Sequence, residues 1–311
     1  MIAQALAIGG AFFGGMSQST AKRGVRSLSP THFLAVKWGA SGAFFTLVVL
    51  AAQAWRDFQW NEGMVAILAA SFVGPVIAWS MYTRALMLLD VAVAFTVTQL
   101  NLLWGMLLAI VFLGERPSIL TGVGAVAIIA GAVLVQPQLA GQPTGETLGP
   151  QARIQAFPSW QTTRRGILLA LGTSVAWGIN LLLFKVAAVN LPPLQANWVR
   201  TAVPGVVWGL TVLYLERSSA PRGHQRRGFH PTGVRYAVAT ALLADVLDWT
   251  MRFAALASAP ATSVIPLTGT EPLFAALFAR FVLRESITPR QAIGIASTVS
   301  GVILVAALGS R

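Results

Sequence analysis

Long apolar runs alternate with short polar gaps along the whole chain. A helix crosses a bilayer with about 20 apolar residues, the working range being roughly 17–25. On that measure the pattern predicts ten spans. They fall near residues 2–20, 33–54, 63–87, 91–113 and 118–136, then near 165–187, 194–215, 234–257, 262–283 and 288–308. Two spans depart from the plain apolar pattern. The first is rich in glycine, and the ninth contains Pro266, Gly269, Glu271 and Pro272. A polar stretch at 137–164, with Pro137, Pro143, Gly145, Gly149 and Pro150, reads as a flexible join. The positive residues Lys22, Arg23 and Arg26 follow the first apolar run rather than precede it, so this run reads as a retained helix and not as a signal peptide.

Composition supports this reading. Of 311 residues, 55% are hydrophobic and 10% charged. Soluble domains carry about 25% charged residues, so an ordinary soluble enzyme and a disordered chain are both excluded. The net charge of +12 does not signal nucleic acid, because the basic residues sit mostly in gaps between apolar runs, as in membrane loops. With no cysteine, disulfides, thiolate nucleophiles and Cys-ligated metal sites are excluded.

Loop charge gives an orientation. One side of the ten-span arrangement holds Lys22, Arg23, Arg26, Arg153, Arg164, Arg165, Arg217, Arg222, Arg226, Arg227, Arg235, Arg280, Arg284 and Arg290. The other holds Arg56, Arg116, Lys185 and Arg311. The positive-inside rule then places both termini outside the cytoplasm.

The chain also matches itself. A shift of 170 pairs Glu115 with Glu285, Gly124 with Gly294, Gly131 with Gly301 and Leu134 with Leu304, and sets "WSMYTRAL" from Trp79 on "WTMRFAAL" from Trp249. Nearer the start of each half a shift of 163 pairs Lys22 with Lys185, Pro30 with Pro193, Lys37 with Arg200 and Gly42 with Gly205. The halves are 1–136 and 165–311, joined by the linker at 137–164. Five spans per half is an odd number, so the halves must lie in opposite orientations. Secondary transporters use such inverted repeats, with the substrate near the midplane between the halves.

"LGE" at Leu113–Glu115 and "RE" at Arg284–Glu285 each precede a Gly-rich final span, and Pro30 and Pro193 precede Lys37 and Arg200. With "TEPLFAALFARFVLRE" from Thr270 to Glu285, these features resemble the drug/metabolite transporter superfamily, EamA type. The resemblance covers nearly the whole chain. It implies an all-α membrane protein of ten transmembrane helices, two inverted five-helix repeats around a central cavity. It also implies transport of small metabolites, often export, with both termini cytoplasmic, opposite to the loop charge.

Candidate chemistry lies with ionisable residues inside the spans. Each costs about 2.5–3.5 kcal/mol at the membrane centre, so Asp245, Asp248 and Glu271 would together cost roughly 8–10 kcal/mol in lipid. They must face protein or a wet cavity, or be protonated. Asp245 and Asp248 are three residues apart, and Arg252 is four beyond Asp248. Two readings stand side by side: a structural ion pair, and a proton-coupling or substrate-ammonium site.

Pro266 and Pro272 should break the ninth span and free carbonyls beside Glu271, which suits a cavity wall. The alternative is a plain kink, with Glu271 bonded to a neighbouring helix. The repeat partner of Glu271 is Asn101, and Gln99 is close by. Lys37 and Arg200 suit snorkelling or structural pairing, or alternatively charge offered to a substrate carboxylate or phosphate. Glu115 and Glu285 suit a role at the dipole of the helix that follows each. Trp104 and Trp177 are candidates for a cavity wall. Gly10 and Gly14, and Gly205 and Gly209, allow close helix approach.

No Walker A, HExxH or G-x-S-x-G motif occurs, and His32, His224 and His230 sit in loops or at helix ends. No catalytic residue, metal site or cofactor is expected. The expected function is secondary transport of small metabolites in the lipid bilayer, with export of amino acids or related compounds leading and proton antiport as the coupling. A nucleotide-sugar or lipid-linked phosphate carrier is the alternative within transport. A membrane enzyme or a non-transporting scaffold or sensor is the alternative outside it. The expected setting is a multi-pass position in the plasma membrane, a bacterial inner membrane. Lys22, Lys37 and Lys185 are the only lysines beside many arginines, a ratio that suggests high-GC codon usage and does not name the organism. No sequence feature bears on oligomeric state.

Overall fold

The computed structural model describes residues 2–58, 60–88, 97–98, 100–135, 160–218, 229–271, 273–274, 277–278 and 289–305. All regular structure among these residues is helical. The first span is Ile2–Ser27 and the second Pro30–Ala51. The third begins as Glu62–Phe72, widens into a π-helical segment at Val73–Ala78 and continues as Trp79–Leu88. The fourth and fifth are Asn101–Leu113 and Ile119–Val135. The sixth and seventh are Trp160–Asn190 and Pro193–Ser218. The eighth runs Pro231–Thr240, a π segment at Ala241–Asp248, then Trp249–Ser258. The ninth opens with Ala261–Thr268, and the tenth is Pro289–Ile303. Four helices among the described residues are long and apolar enough to cross a membrane alone: Pro30–Ala51, Glu62–Tyr82, Thr163–Asn190 and Pro193–Ser218.

Local sequence explains where these helices begin and end. Ser29 caps the second span by accepting from the His32 amide, with Pro30 in the first turn, where its missing N–H costs nothing. Asn61 caps the third in the same way through the Met64 amide. Gly114, at φ 66°, ends the fourth in the left-handed conformation that glycine adopts without strain.

The two π segments occupy matching places in the two halves, since Val73–Ala78 shifted by 170 falls within Ala241–Asp248. In the third span Pro75 lacks the donor an α-turn needs, which accounts for the widened turn there.

Packing repeats the sequence symmetry. A Cβ on Gly42 would lie 3.1 Å from the Ala202 Cα, and one on Gly205 would lie 2.9 Å from the Trp38 carbonyl and 3.5 Å from the Gly39 Cα. Under the shift of 163 these contacts between the second and seventh spans are images of each other. The fifth and tenth spans behave likewise. A Cβ on Gly124 would meet the Gly301 carbonyl at 2.8 Å, and one on Gly131 would meet the Gly294 carbonyl at 2.6 Å. A pseudo-twofold axis therefore relates the halves, and backbone-to-backbone contact at small residues marks where it passes. The fold is the expected pair of inverted five-helix repeats.

Candidate functional site

The second, seventh, eighth and ninth spans bring six ionisable side chains together in the interior. Lys37 is 6% exposed, Arg200 and Asp245 1%, Asp248 3% and Arg252 7%. Lys37 and Arg200 therefore do not snorkel to an interface. They reach inward because a buried carboxylate receives them. The Lys37 ammonium donates to both oxygens of Asp245, at 2.9 and 2.7 Å. Ser41 donates to Asp245 Oδ2 at 2.7 Å. Arg200 donates through Nη1 to Asp245 Oδ1 at 3.5 Å and through Nη2 to the Asp245 carbonyl at 3.1 Å. Its Nε donates to Asn197 Oδ1 at 3.3 Å.

The second group lies further along the same helix. Arg252 donates through Nε to Asp248 and through Nη2 to Glu271 Oε2, the latter at 2.8 Å. The i,i+4 pair is the one expected from the spacing. Asp245 does not share it, because the π turn spreads residues three apart further round the helix than an α-turn does. Glu271 has a side chain 25% exposed, the most accessible of the six. The helix that opens the ninth span ends at Thr268, three residues before it. Gly269 and Thr270 donate to Pro266 and Leu267 carbonyls three residues back, at 2.9 and 3.2 Å, and the chain turns helical again at Glu271. The expected break is therefore present at mid-span. Pro272 itself lies outside the described residues.

Three cations and three carboxylates meet here in two groups. In one, Lys37 and Arg200 both bond to Asp245. In the other, Asp248 and Glu271 both bond to Arg252. Buried ions are tolerated when paired and hydrogen-bonded, as these are. The indole of Trp249 joins the two groups, and that of Trp38 lies against the first. The Arg200 guanidinium carbon lies 4.8 Å from the Trp249 ring centre and that of Arg252 5.5 Å, while the Lys37 ammonium lies 3.6 Å from the Trp38 ring. Such contacts add attraction in a desolvated site. The first span closes over the second group with glycines. A Cβ on Gly10 would lie 2.8 Å from Asp248 Oδ1, and one on Gly14 2.8 Å from Asp248 Oδ2 and 3.0 Å from the Glu271 carboxyl carbon. The spacing of Gly10 and Gly14 pointed to close packing, and nothing in it named the carboxylates they admit.

Apart from Lys37, the first half has no counterpart of these charges. Pro75, Ala78, Tyr82 and Asn101 stand where the second half has Asp245, Asp248, Arg252 and Glu271. Trp79, Tyr82 and Trp177 pack against one another there, with ring centres 5.3–6.0 Å apart. Asn101 Oδ1 and Asn180 Oδ1 are buried with no hydrogen-bond partner among the described residues. Trp104 packs its Cβ over Gly178 and is 38% exposed as a residue, with no bond to the charged groups among the described residues. Gln99 lies outside the described residues.

Glu115 does act at a helix N-terminus, but not that of the helix following it. Its two oxygens accept from the Ala261 and Thr262 amides of the ninth span, each at 2.7 Å. A contact between residues 146 and 147 apart has no local signature. Glu285 lies outside the described residues.

An inverted-repeat helical bundle with a charged cluster buried inside it defines the class: a polytopic membrane protein built as secondary transporters are. The model of the EamA-like transporter family matches residues 1–136 and 164–307, and the chain belongs to that family. It is a membrane transporter of the drug/metabolite type, and its partners are the membrane and a small-molecule substrate. A solved structure titled only "Crystal structure of protein" is similar over 99% of this chain and 98% of its own, with a TM-score of 0.77 and 18% identity, a likeness of fold. No curated protein matches the chain.

Proposed function

We propose that the chain exports small zwitterionic metabolites, amino acids or related compounds, across a bacterial plasma membrane by proton antiport. The unlike make-up of the two groups supports this reading. An α-amino acid offers a carboxylate to the group in which two cations, Lys37 and Arg200, meet one carboxylate, and an ammonium to the group in which two carboxylates, Asp248 and Glu271, meet Arg252. Trp249 supplies aromatic surface to both groups, through Arg200 and Arg252. Glu271 is the proton carrier in this reading, because it is a carboxylate at a helix break and the most accessible of the cluster. A doubly charged phosphate suits the site less well, since Asp245 already neutralises one of the two cations. Export is taken from the family resemblance.

Thermal unfolding of the purified protein against amino acids, sugars, nucleotides and phosphorylated metabolites tests the proposal, run across pH with wild type and Glu271→Gln. A ligand at a hundred times its Kd adds about 2.7 kcal/mol to apparent stability. The expected result is stabilisation of wild type by amino acids, weakened and stripped of its pH dependence in Glu271→Gln. Stabilisation by phosphorylated compounds alone would overturn it.

A further inference from the structure

We propose that Glu115 is the latch of a gate between the two halves, closing the face on which the fourth and fifth spans meet the turn between the eighth and ninth. The inference rests on the transport reading above. The helix Ala261–Thr268 begins after Pro260, whose side chain makes no cap. Its first amides are instead held by Glu115, which belongs to the other half of the chain. The helix end is thus satisfied by a carboxylate only while the halves touch. Most helix caps come from the adjacent residue and persist through rigid-body motion. This one breaks when the halves part.

Three observations make the contact suited to breaking and reforming. A cleft of about 770 Å³ opens beside it, lined by Glu115, Ala259, Pro260 and Thr262 together with Ile2 and Gln4 of the first span. Water in the cleft can take over the Ala261 and Thr262 amides, so opening does not strand buried donors. Lys185 of the sixth span donates to the Leu256 and Ala259 carbonyls at 2.6 and 2.7 Å, holding the turn to its own half. The eighth and ninth spans can then leave Glu115 as one piece. Finally, the helix that starts at the latch ends at the break before Glu271, about 12 Å away at 1.5 Å per residue. Release at one end can therefore tilt the segment that leads to the candidate site.

The absence of native cysteine allows a clean test. Ala7 is fully buried in the first span, one turn below the residues that line the cleft, and Ala237 is fully buried in the eighth span toward the opposite face. Single Ala7→Cys and Ala237→Cys proteins in lipid nanodiscs would be labelled with a charged maleimide, with and without Glu115→Gln. No substrate is needed, so a wrong transport assignment does not affect the readout. A glutamine keeps one acceptor and loses the charged hydrogen bonds, which predicts labelling at position 7 about tenfold faster and no increase at position 237. Glu115→Asp, with a stem too short to reach both amides, gives the same pattern if Glu115→Gln does not fold. Unchanged labelling at position 7, or an equal rise at both positions, would overturn the gate.

Discussion

Replacing Asp245 with asparagine removes the one carboxylate that bonds to Lys37 and Arg200 among the described residues. Asp245 receives both donor contacts of Lys37, one from Ser41 and one from Arg200, and almost none of it meets solvent. Asparagine keeps the size and one acceptor oxygen but leaves two buried cations facing each other. Breaking a buried ion pair from one side costs about 3–5 kcal/mol, and complete burial of both cations places this site at the upper end. Ordinary hydrogen bonds inside membrane proteins average only about 0.6 kcal/mol, so the two accounts give separable numbers. Unfolding of the purified protein in mixed micelles, titrated with denaturing detergent, measures the difference. Lys37→Met combined with Asp245→Asn should recover part of the loss, because one of the two cations left without a carboxylate is then gone. A cost for Asp245→Asn below about 1 kcal/mol, or no recovery in the double variant, would refute buried pairing as what holds this group together.

Gly131→Ala should destabilise by about 1–3 kcal/mol through overpacking, since its Cβ would lie 2.3 Å from Thr298 Oγ1; Gly209→Ala, with nothing within 4 Å, should be near neutral in the same unfolding assay. Gly14→Ala should disturb the Asp248, Arg252 and Glu271 group and lower ligand-induced stabilisation more than it lowers basal stability, whereas equal losses would make it a packing residue only. Lys185→Met should strip the eighth span of its C-terminal donor and cost about 1.5–3 kcal/mol, the range for a charged hydrogen bond, read by the same detergent titration.

The sequence carried the architecture openly because periodicity and repeat are long-range averages. An odd number of spans per half forces inversion, and the glycines that match under the shifts are the ones that touch across the axis. The Asp248–Arg252 pair was legible for the opposite reason, being a matter of one helical turn. The meeting of Lys37, Arg200 and Asp245 was not, since the partners lie 208 and 45 residues apart. Single-residue reasoning gave Lys37 and Arg200 snorkelling or structural pairing, and could not name the partner. The cap from Glu115 to Ala261 was hidden in the same way: its motif was visible and its target was not.

The unequal halves have a thermodynamic consequence. A machine made of two interchangeable repeats would have two end states of equal energy, each the mirror of the other with the roles exchanged. Here one repeat contributes Lys37 alone to the charged cluster and the other contributes the remaining five groups. Exchanging roles then places the charges in different surroundings, so the two end states differ in free energy. Each 1.4 kcal/mol of that difference holds the resting protein tenfold toward one face. A cargo or ion has to bind the rarer state more tightly by at least that factor to draw it out.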